Sequence, residues 1–167
     1  MPTLNEAAEK LARRLAETRM RIVFAESCTG GLASASLAAV PGISQWHCGS
    51  AVTYRERTKI DWLGVSADDI AEKGVVSAAV ARQMAHGALE RTSEAGMAAA
   101  ITGHLGPGAP PDQDGLVFVA VATRESDRVI RSRTRSHHLH AASRRDRQDE
   151  AATLLLQQAW QCATERQ

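Results

Sequence analysis

The sequence is poor in cysteine and in aromatic residues, and it contains no long apolar run. Its three cysteines, in 167 residues, form no C-x-x-C pair, which argues against both a disulfide framework and a zinc site. No apolar stretch approaches the roughly 20 residues that cross a bilayer, and the first residues lack the features of a secretory signal. The net charge of +1 favours neither nucleic acid nor a membrane as partner. We therefore expect a cytoplasmic protein with reduced thiols.

What remains is the composition of one globular domain spanning residues 1–167. Hydrophobic residues make up 44% of the chain and charged residues 23%, and no internal repeat or linker divides it. Helical and strand-like segments alternate at first, and three strand-like segments then precede a last helix. Because crossover and hairpin connections are mixed in this order, we predict an α/β fold, a three-layer α/β/α sandwich with a mixed sheet.

Hydrophobic periodicity and turn residues predict where the elements begin and end. Thr3-Leu4-Asn5-Glu6 has the form of a capping box, and Ser66 and Ser77 are placed to cap two further helices. The predicted helices span residues 4–17, about 31–40, 55–63, 67–73, 78–92 and about 143–163. The predicted strands span residues 21–25, 46–54, 97–102, 116–123 and 127–135, with the second covered on both faces and a hairpin turn at 124–126.

The turn after the first strand is the candidate active site. The sequence AESCTGG at 25–31 places Ser27 at the carboxyl end of a strand, beside a helix N-terminus whose free N–H groups favour anions. Gly30 and Gly31 allow a sharp turn and a close approach to a ligand. The pattern predicts a hydroxyl nucleophile and an anion-binding turn together. Serine and threonine before a helix are also ordinary N-caps, and glycines can simply relieve backbone strain.

A serine nucleophile needs a base, and lysine is scarce enough to single out one candidate. Of Lys10, Lys59 and Lys73, the first and last fall on predicted solvent-facing positions of helices. Lys59 lies about one helical turn beyond Tyr54, at the junction of the second strand and the next helix. A lysine whose pKa is lowered by burial can act as a general base. The alternative is a solvated lysine on a helix surface.

Motifs along nearly the whole chain resemble those of the C-terminal domain of the competence/damage-inducible CinA proteins, in the family's order and at its spacing. The matching segments are Ala25-Glu26-Ser27-Cys28-Thr29-Gly30-Gly31, Val40-Pro41-Gly42, Val52-Thr53-Tyr54 with Lys59, Leu63-Gly64-Val65, Val76-Ser77, Thr102-Gly103, Gly106-Pro107-Gly108, and Gly115 before an apolar strand.

The resemblance implies deamidation of nicotinamide mononucleotide to nicotinate mononucleotide and ammonia. It makes Ser27 the nucleophile, Lys59 its general base and Tyr54 a hydroxyl that orients the pair. It also implies a small-molecule nucleotide substrate, a homo-oligomer, and neither metal nor cofactor. The residues expected to contact the substrate, through side chains or backbone N–H groups, are Thr29, Gly30, Gly31, Thr102, Gly103 and Arg144.

The loop over residues 103–115 departs from the family pattern. It is shorter, and acidic residues replace the family's lysine. An acidic loop beside an anionic mononucleotide is unfavourable unless its carboxylates point away. A loop of this length in a compact domain is usually functional, and His104 is placed to touch the substrate or to assist Ser27 and Lys59. The alternative for His104 is a hydrogen bond within the loop.

Other features allow different functions. Cys28, beside Ser27, is an alternative nucleophile. The histidines at 137–140 have no carboxylate or cysteine at ligand spacing, so a solvated loop is favoured over a metal site. Residues 124–147 hold eight arginines against three acidic residues but no aromatic residue for stacking, which favours a charged edge strand over a nucleic-acid surface. A non-catalytic protein that binds a nucleotide or a partner at the same turn is the remaining alternative.

Overall fold

Five strands form one mixed sheet that carries helices on both faces. The computed structural model describes residues 1–126 and 129–165. Its strands are β1 (Ile22–Glu26), β2 (His47–Val52), β3 (Met97–Gly103), β4 (Leu116–Ser126) and β5 (Val129–His138). Its helices are α1 (Leu4–Thr18), α2 (Leu32–Ala38), α3 (Glu56–Leu63), α4 (Ala67–Lys73), α5 (Ala78–Glu90) and α6 (Arg144–Thr164), with a short 3₁₀ helix at Ile43–Gln45.

The strand order, β2-β1-β3-β4-β5, combines parallel and antiparallel pairs. β1 pairs in parallel with β2 and β3, whereas β4 is antiparallel to β3 and β5. Helical crossovers therefore join the three parallel strands. The predicted α/β/α sandwich with a mixed sheet is confirmed.

The hairpin between β4 and β5 is also confirmed, but the predicted turn at 124–126 is wrong. These polar residues continue β4 as far as Ser126, and Arg124 lies opposite Ile130 in the ladder. A strand can continue past the part of the sheet that the helices cover, and its residues there can be polar. The polar composition of residues 124–126 therefore could not distinguish the end of a strand from a turn. Residues 127 and 128, which include the predicted start of the strand at 127–135, lie outside the described residues.

Each face of the sheet buries its own apolar cluster. Helices α1, α2 and α6 cover one face, where Leu11, Phe24 and Leu155 are fully buried. Helices α3, α4 and α5 cover the other face, around Met84 and Leu89. Successive residues of β3 belong alternately to one cluster and to the other, as expected for a central strand buried on both sides.

Three helices begin at the predicted capping residues. Thr3 and Glu6 form the reciprocal capping box of α1. The side chains of Ser66 and Ser77 cap α4 and α5, and Gly64 ends α3 in the left-handed conformation. Among the helices of residues 1–126 and 129–165, none is both long and apolar enough to cross a membrane.

The prediction that β2 is covered on both faces is wrong. β2 is an edge strand paired with β1, and its residues are half-buried or exposed. Small residues such as Gly49, Ser50 and Ala51 are equally suited to an edge strand and to a central strand, so the sequence pattern could not distinguish these two positions in the sheet. The pairing with β1 is irregular beside Gly49, as is common at sheet edges.

Candidate active site

Ser27 lies at the sheet edge where the carboxyl ends of the three parallel strands meet. Its N–H donates to the carbonyl of Ile101 on β3, 3.1 Å away, which fixes the start of the turn. The chain then leaves the sheet through Gly30 and Gly31, whose φ angles of +62° and +97° strain any other residue. This turn holds Ser27, 8% exposed, in the wall of a cavity.

A buried carboxylate, Glu26, organises this turn. It is fully buried and accepts four hydrogen bonds of 2.7 to 3.2 Å, from the N–H groups of Ala33 and Ser34 and from the hydroxyls of Thr29 and Ser50. The first-turn N–H groups of a helix need acceptors and favour negative charge, so the carboxylate and α2 stabilise each other. Sequence reasoning did not assign Glu26 a role, although a glutamate directly after a buried strand was the available signal.

The Glu26 carboxylate takes the place that the sequence predicted for a substrate anion. The Thr29 hydroxyl donates to Glu26 at 2.7 Å, and the first N–H groups of α2 are satisfied by the same side chain. Thr29, Gly30 and Gly31 are not among the residues that line the cavity. The structure therefore does not bring these three predicted contacts into the cavity wall, because the chain supplies its own negative charge at this helix end and these residues shape the turn.

Replacing Glu26 by alanine is expected to lower the free energy of unfolding by at least about 3 kcal/mol, because four donors lose their acceptor in a buried place. Urea unfolding of the variant and the wild type measures the difference. Ser66→Ala, which removes the cap of α4 at a more exposed position, is the matched control and should cost about 1 kcal/mol. Equal losses in the two variants would contradict a special role for Glu26.

Lys59 on α3 lies directly against Ser27. Its Nζ donates to Ser27 Oγ at 2.9 Å and to the carbonyl oxygen of Thr53 at 2.6 Å, and the residue is 1% exposed. Burial lowers the pKa of the ammonium group from 10.5 to about 8. The structure thus brings together the two residues, 32 positions apart, that the sequence selected as nucleophile and base.

This pair is arranged to exchange a proton. In its ammonium form Lys59 donates to Ser27 Oγ, and in its neutral form it can accept the serine proton at the same place. The Thr53 carbonyl holds the amine in both forms. With a pKa of about 8, about a tenth of Lys59 is neutral at pH 7, far more than of a solvated lysine.

Cys28, the alternative nucleophile, is buried beside Ser27, and burial raises the pKa of its thiol to about 12. Thiol chemistry requires the thiolate, which is scarce at neutral pH for such a group. The structure therefore favours Ser27 over Cys28.

The Tyr54 hydroxyl contacts Arg144, and not the Ser27–Lys59 pair that the resemblance made it orient. Its side chain is 57% exposed, and its hydroxyl accepts a hydrogen bond of 3.0 Å from Arg144 at the start of α6. Arg144 also donates to the carbonyl of Gly106 in the long loop. The strand end points the backbone of Thr53, and not the ring of Tyr54, at Lys59. Tyr54 and Arg144 instead form a bridge across the mouth of the cavity.

The cavity above Ser27 and Lys59 has a volume of about 810 Å³, in the range of small-molecule sites. The Thr102 hydroxyl faces the carbonyl of Val75, to which it donates at 3.1 Å. The residues proposed from the sequence that line this cavity are Ser27, Tyr54, Lys59, Thr102, Gly103, His104 and Arg144.

Charge and polarity are unevenly distributed around the cavity. Arg55, Arg57 and Arg144 line it with Lys59, whereas Glu56 is the one acidic residue among the described residues of the lining. Arg57 is paired with Asp61 at 2.8 Å. The long loop and the segment before α5 contribute mainly valine, leucine, alanine and proline side chains. The cavity therefore suits a ligand that carries both an anionic group and an apolar group.

In the described part of the arginine-rich segment at 124–147, the arginines of β5 contact neighbouring polar side chains. Arg131 pairs with Glu125 at 2.8 Å, and Arg133 pairs with Glu165. Arg135 donates to the side chain of Gln161. These contacts fit the charged edge strand that the sequence favoured over a nucleic-acid surface.

Comparison with known proteins gives the family. The profile of the CinA C-terminal domain matches residues 4–160. A CinA-like protein of Syntrophotalea carbinolica is 41% identical over 124 residues, which is 73% of this chain and 30% of that protein. A CinA-like protein of Chlorobium limicola is 36% identical over 154 residues, 91% of this chain and 35% of that protein. The chain thus spans about a third of the length of these relatives.

Solved structures of competence/damage-inducible proteins have the same fold as this chain. The competence damage-inducible protein A (ComA) from Klebsiella pneumoniae superposes with a TM-score of 0.90 at 26% identity, covering 99% of this chain and 100% of the other. The competence/damage inducible protein CihA from Agrobacterium tumefaciens gives a TM-score of 0.86 at 30% identity, covering 95% and 94%. The profile match and these similarities together show that the chain belongs to the CinA C-terminal domain family.

Proposed function

We propose that this protein is an amidohydrolase that deamidates nicotinamide mononucleotide through Ser27 and Lys59. The observation that carries the proposal is the 2.9 Å contact between Lys59 Nζ and Ser27 Oγ at a buried place in the cavity wall. A hydroxyl nucleophile and a base of lowered pKa in contact are the two groups that amide hydrolysis without a metal requires.

The reaction proceeds in two halves. Neutral Lys59 takes the Ser27 proton while Oγ attacks the carboxamide carbon, and the backbone N–H of Cys28, the residue after the nucleophile, is the proposed oxyanion donor. The Lys59 ammonium returns this proton to the leaving nitrogen, so ammonia departs and a nicotinoyl ester remains on Ser27. Lys59 then takes a proton from water, which attacks the ester and releases the carboxylic acid, and Ser27 recovers its proton.

The rest of the cavity accounts for the proposed substrate. The arginines at its mouth, Arg55 and Arg144, carry the charge and the N–H donors that bind a phosphate group. The apolar side chains of the long loop offer a surface to the pyridine ring, and His104 lines the same side of the cavity.

The test is ammonia release from nicotinamide mononucleotide by the purified protein, with nicotinate mononucleotide identified as the second product. The proposal predicts both products in equal amounts. Binding of the nucleotide without release of ammonia would contradict it and would support a non-catalytic nucleotide-binding protein instead.

A further inference from the structure

An ion pair between Asp114 and Arg147 attaches the acidic loop at 103–115 to α6. Asp114 in the loop accepts two parallel hydrogen bonds from Arg147, each of 2.9 Å. Such bidentate pairs fix relative orientation as well as distance. The Arg147 side chain is 16% exposed and that of Asp114 is 39% exposed, so the pair is shielded mainly on the arginine side.

The same arginine also holds the backbone around the loop. Its Nη1 donates to the carbonyl of Leu105 at 3.3 Å, and its Nε donates to the carbonyl of Ala141 at 2.8 Å. Leu105 belongs to the stretch of loop that lines the cavity. Arg147 therefore joins both ends of the loop, near Leu105 and at Asp114, to the first turn of α6.

The Asp114–Arg147 pair lies directly behind the cavity wall at Gly106. A Cβ atom at Gly106 would lie 2.6 Å from Asp114 Oδ1 and 3.0 Å from Arg147 Nη1. Gly106 itself lines the cavity. The pair behind it therefore supports this wall together with the Arg144 hydrogen bond to the Gly106 carbonyl, and the Asp114 carboxylate faces Arg147 and not the cavity.

We infer that Asp114 and Arg147 are positioning residues that set the loop wall of the cavity and thereby the affinity for an anionic substrate. The pair holds the wall in place relative to Ser27 and Lys59, where an anionic substrate would bind. The substrate part of this inference rests on the proposed function, whereas the attachment of the loop does not.

Asp114→Asn tests the attachment, because it keeps the shape of the side chain and removes its charge. Hydrogen exchange reports on the base of the loop through the N–H groups of His104 and Gly115, which bond to the carbonyls of Leu116 and His104 at 2.9 and 3.0 Å. We expect exchange at both N–H groups to accelerate by about tenfold, as the loss of a charge-assisted pair predicts. Arg145→Gln is the matched control, since Arg145 lies in the same turn but pairs with Asp149 on α6 itself. In this variant the His104 and Gly115 N–H groups should exchange at the rate of the wild type.

Kinetics with nicotinamide mononucleotide test the effect on the substrate. In Asp114→Asn we expect KM to rise by about tenfold while kcat stays within about threefold, because the reacting pair is untouched and only the wall is loosened. Arg147→Lys keeps the charge but not the fork-shaped geometry and should give the same change. The double variant should be no worse than either single variant.

The possible outcomes separate this inference from the proposed function. Unchanged exchange in Asp114→Asn overturns the attachment, and additive effects of the two substitutions on KM overturn the coupling. A fall in kcat at constant KM overturns the role in affinity. Failure of the wild type to release ammonia overturns the proposed function and with it the substrate part of the inference, and the exchange measurement still decides whether the pair attaches the loop.

Discussion

Ser27→Ala is expected to lower ammonia release from nicotinamide mononucleotide by at least about 10⁴-fold, with the fold unchanged. The substitution removes the only atom of the side chain that can form the ester intermediate. The site tolerates it structurally, because alanine occupies less space and the turn is held by the Ser27 N–H and by Glu26, not by the hydroxyl. Lys59 keeps its hydrogen bond to the Thr53 carbonyl.

The experiment compares the turnover of purified variants whose thermal unfolding is measured in parallel. Ser66→Ala, a serine-to-alanine change at the start of α4, is the matched control and should keep the turnover of the wild type. A comparison of turnover in Ser27→Ala and in Cys28→Ala decides between the two candidate nucleophiles. Activity that survives in Ser27→Ala but is lost in Cys28→Ala would assign the chemistry to the thiol and refute the proposed mechanism.

Binding supplies a second readout for the same variant. Ser27→Ala should still bind nicotinamide mononucleotide with an affinity within about tenfold of the KM of the wild type, because the arginines at the cavity mouth are unaffected. A variant that neither binds nor reacts would indicate a disturbed cavity. Circular dichroism then separates this case from a loss of chemistry alone.

The contact between Ser27 and Lys59 could be predicted because each residue lies next to a recognisable strand end. Parallel strands bring their carboxyl ends to one edge, so two residues that follow two such strands come close whatever the details of the loops. The family resemblance added the roles of nucleophile and base. The fold class followed from the same local signals, since each of them is contained in a short stretch of the chain.

The partners of the surrounding polar groups could not be predicted, because they depend on contacts that short stretches do not contain. Asp114 looked like a repulsive charge until α6 brought Arg147, 33 residues later, against it. Tyr54 is at the predicted place, but its rotamer directs the hydroxyl to Arg144. Both contacts depend on where α6 packs against the rest of the domain, which no local sequence pattern encodes.

Removing the Lys59 amine is expected to have the second large effect, on activity and on the pH dependence of stability. In Lys59→Met, ammonia release should fall by about 10³-fold or more, because Lys59 is the one side chain of the described residues that hydrogen-bonds to Ser27 Oγ and can take its proton. In the wild type, kcat/KM should rise with pH and level off above about 8, since the neutral amine is the active form. A profile that is flat between pH 6 and pH 9 would contradict the role of Lys59 as base.

The same lowered pKa also makes a prediction about folding. The unfolded chain holds the Lys59 proton up to a pKa of 10.5, whereas the folded protein loses it at about 8. Between these two values the unfolded state binds more protons, so the free energy of unfolding rises with pH across this window, by about 1.4 kcal/mol for each pH unit. Below pH 8 both states are protonated, and the folded protein carries the full cost of the buried charge, roughly 3 kcal/mol.

Urea unfolding of the wild type and of Lys59→Met, measured from pH 7 to pH 10, tests this linkage. The rise above pH 8 should be present in the wild type and absent in Lys59→Met, which has no buried charge to release. Lys73→Met is the matched control, because Lys73 is exposed and pairs with Asp69 on the surface of α4, and it should keep the rise. Parallel curves for the wild type and Lys59→Met would mean that Lys59 stays charged in the folded protein, and the amine could then not serve as the base for Ser27.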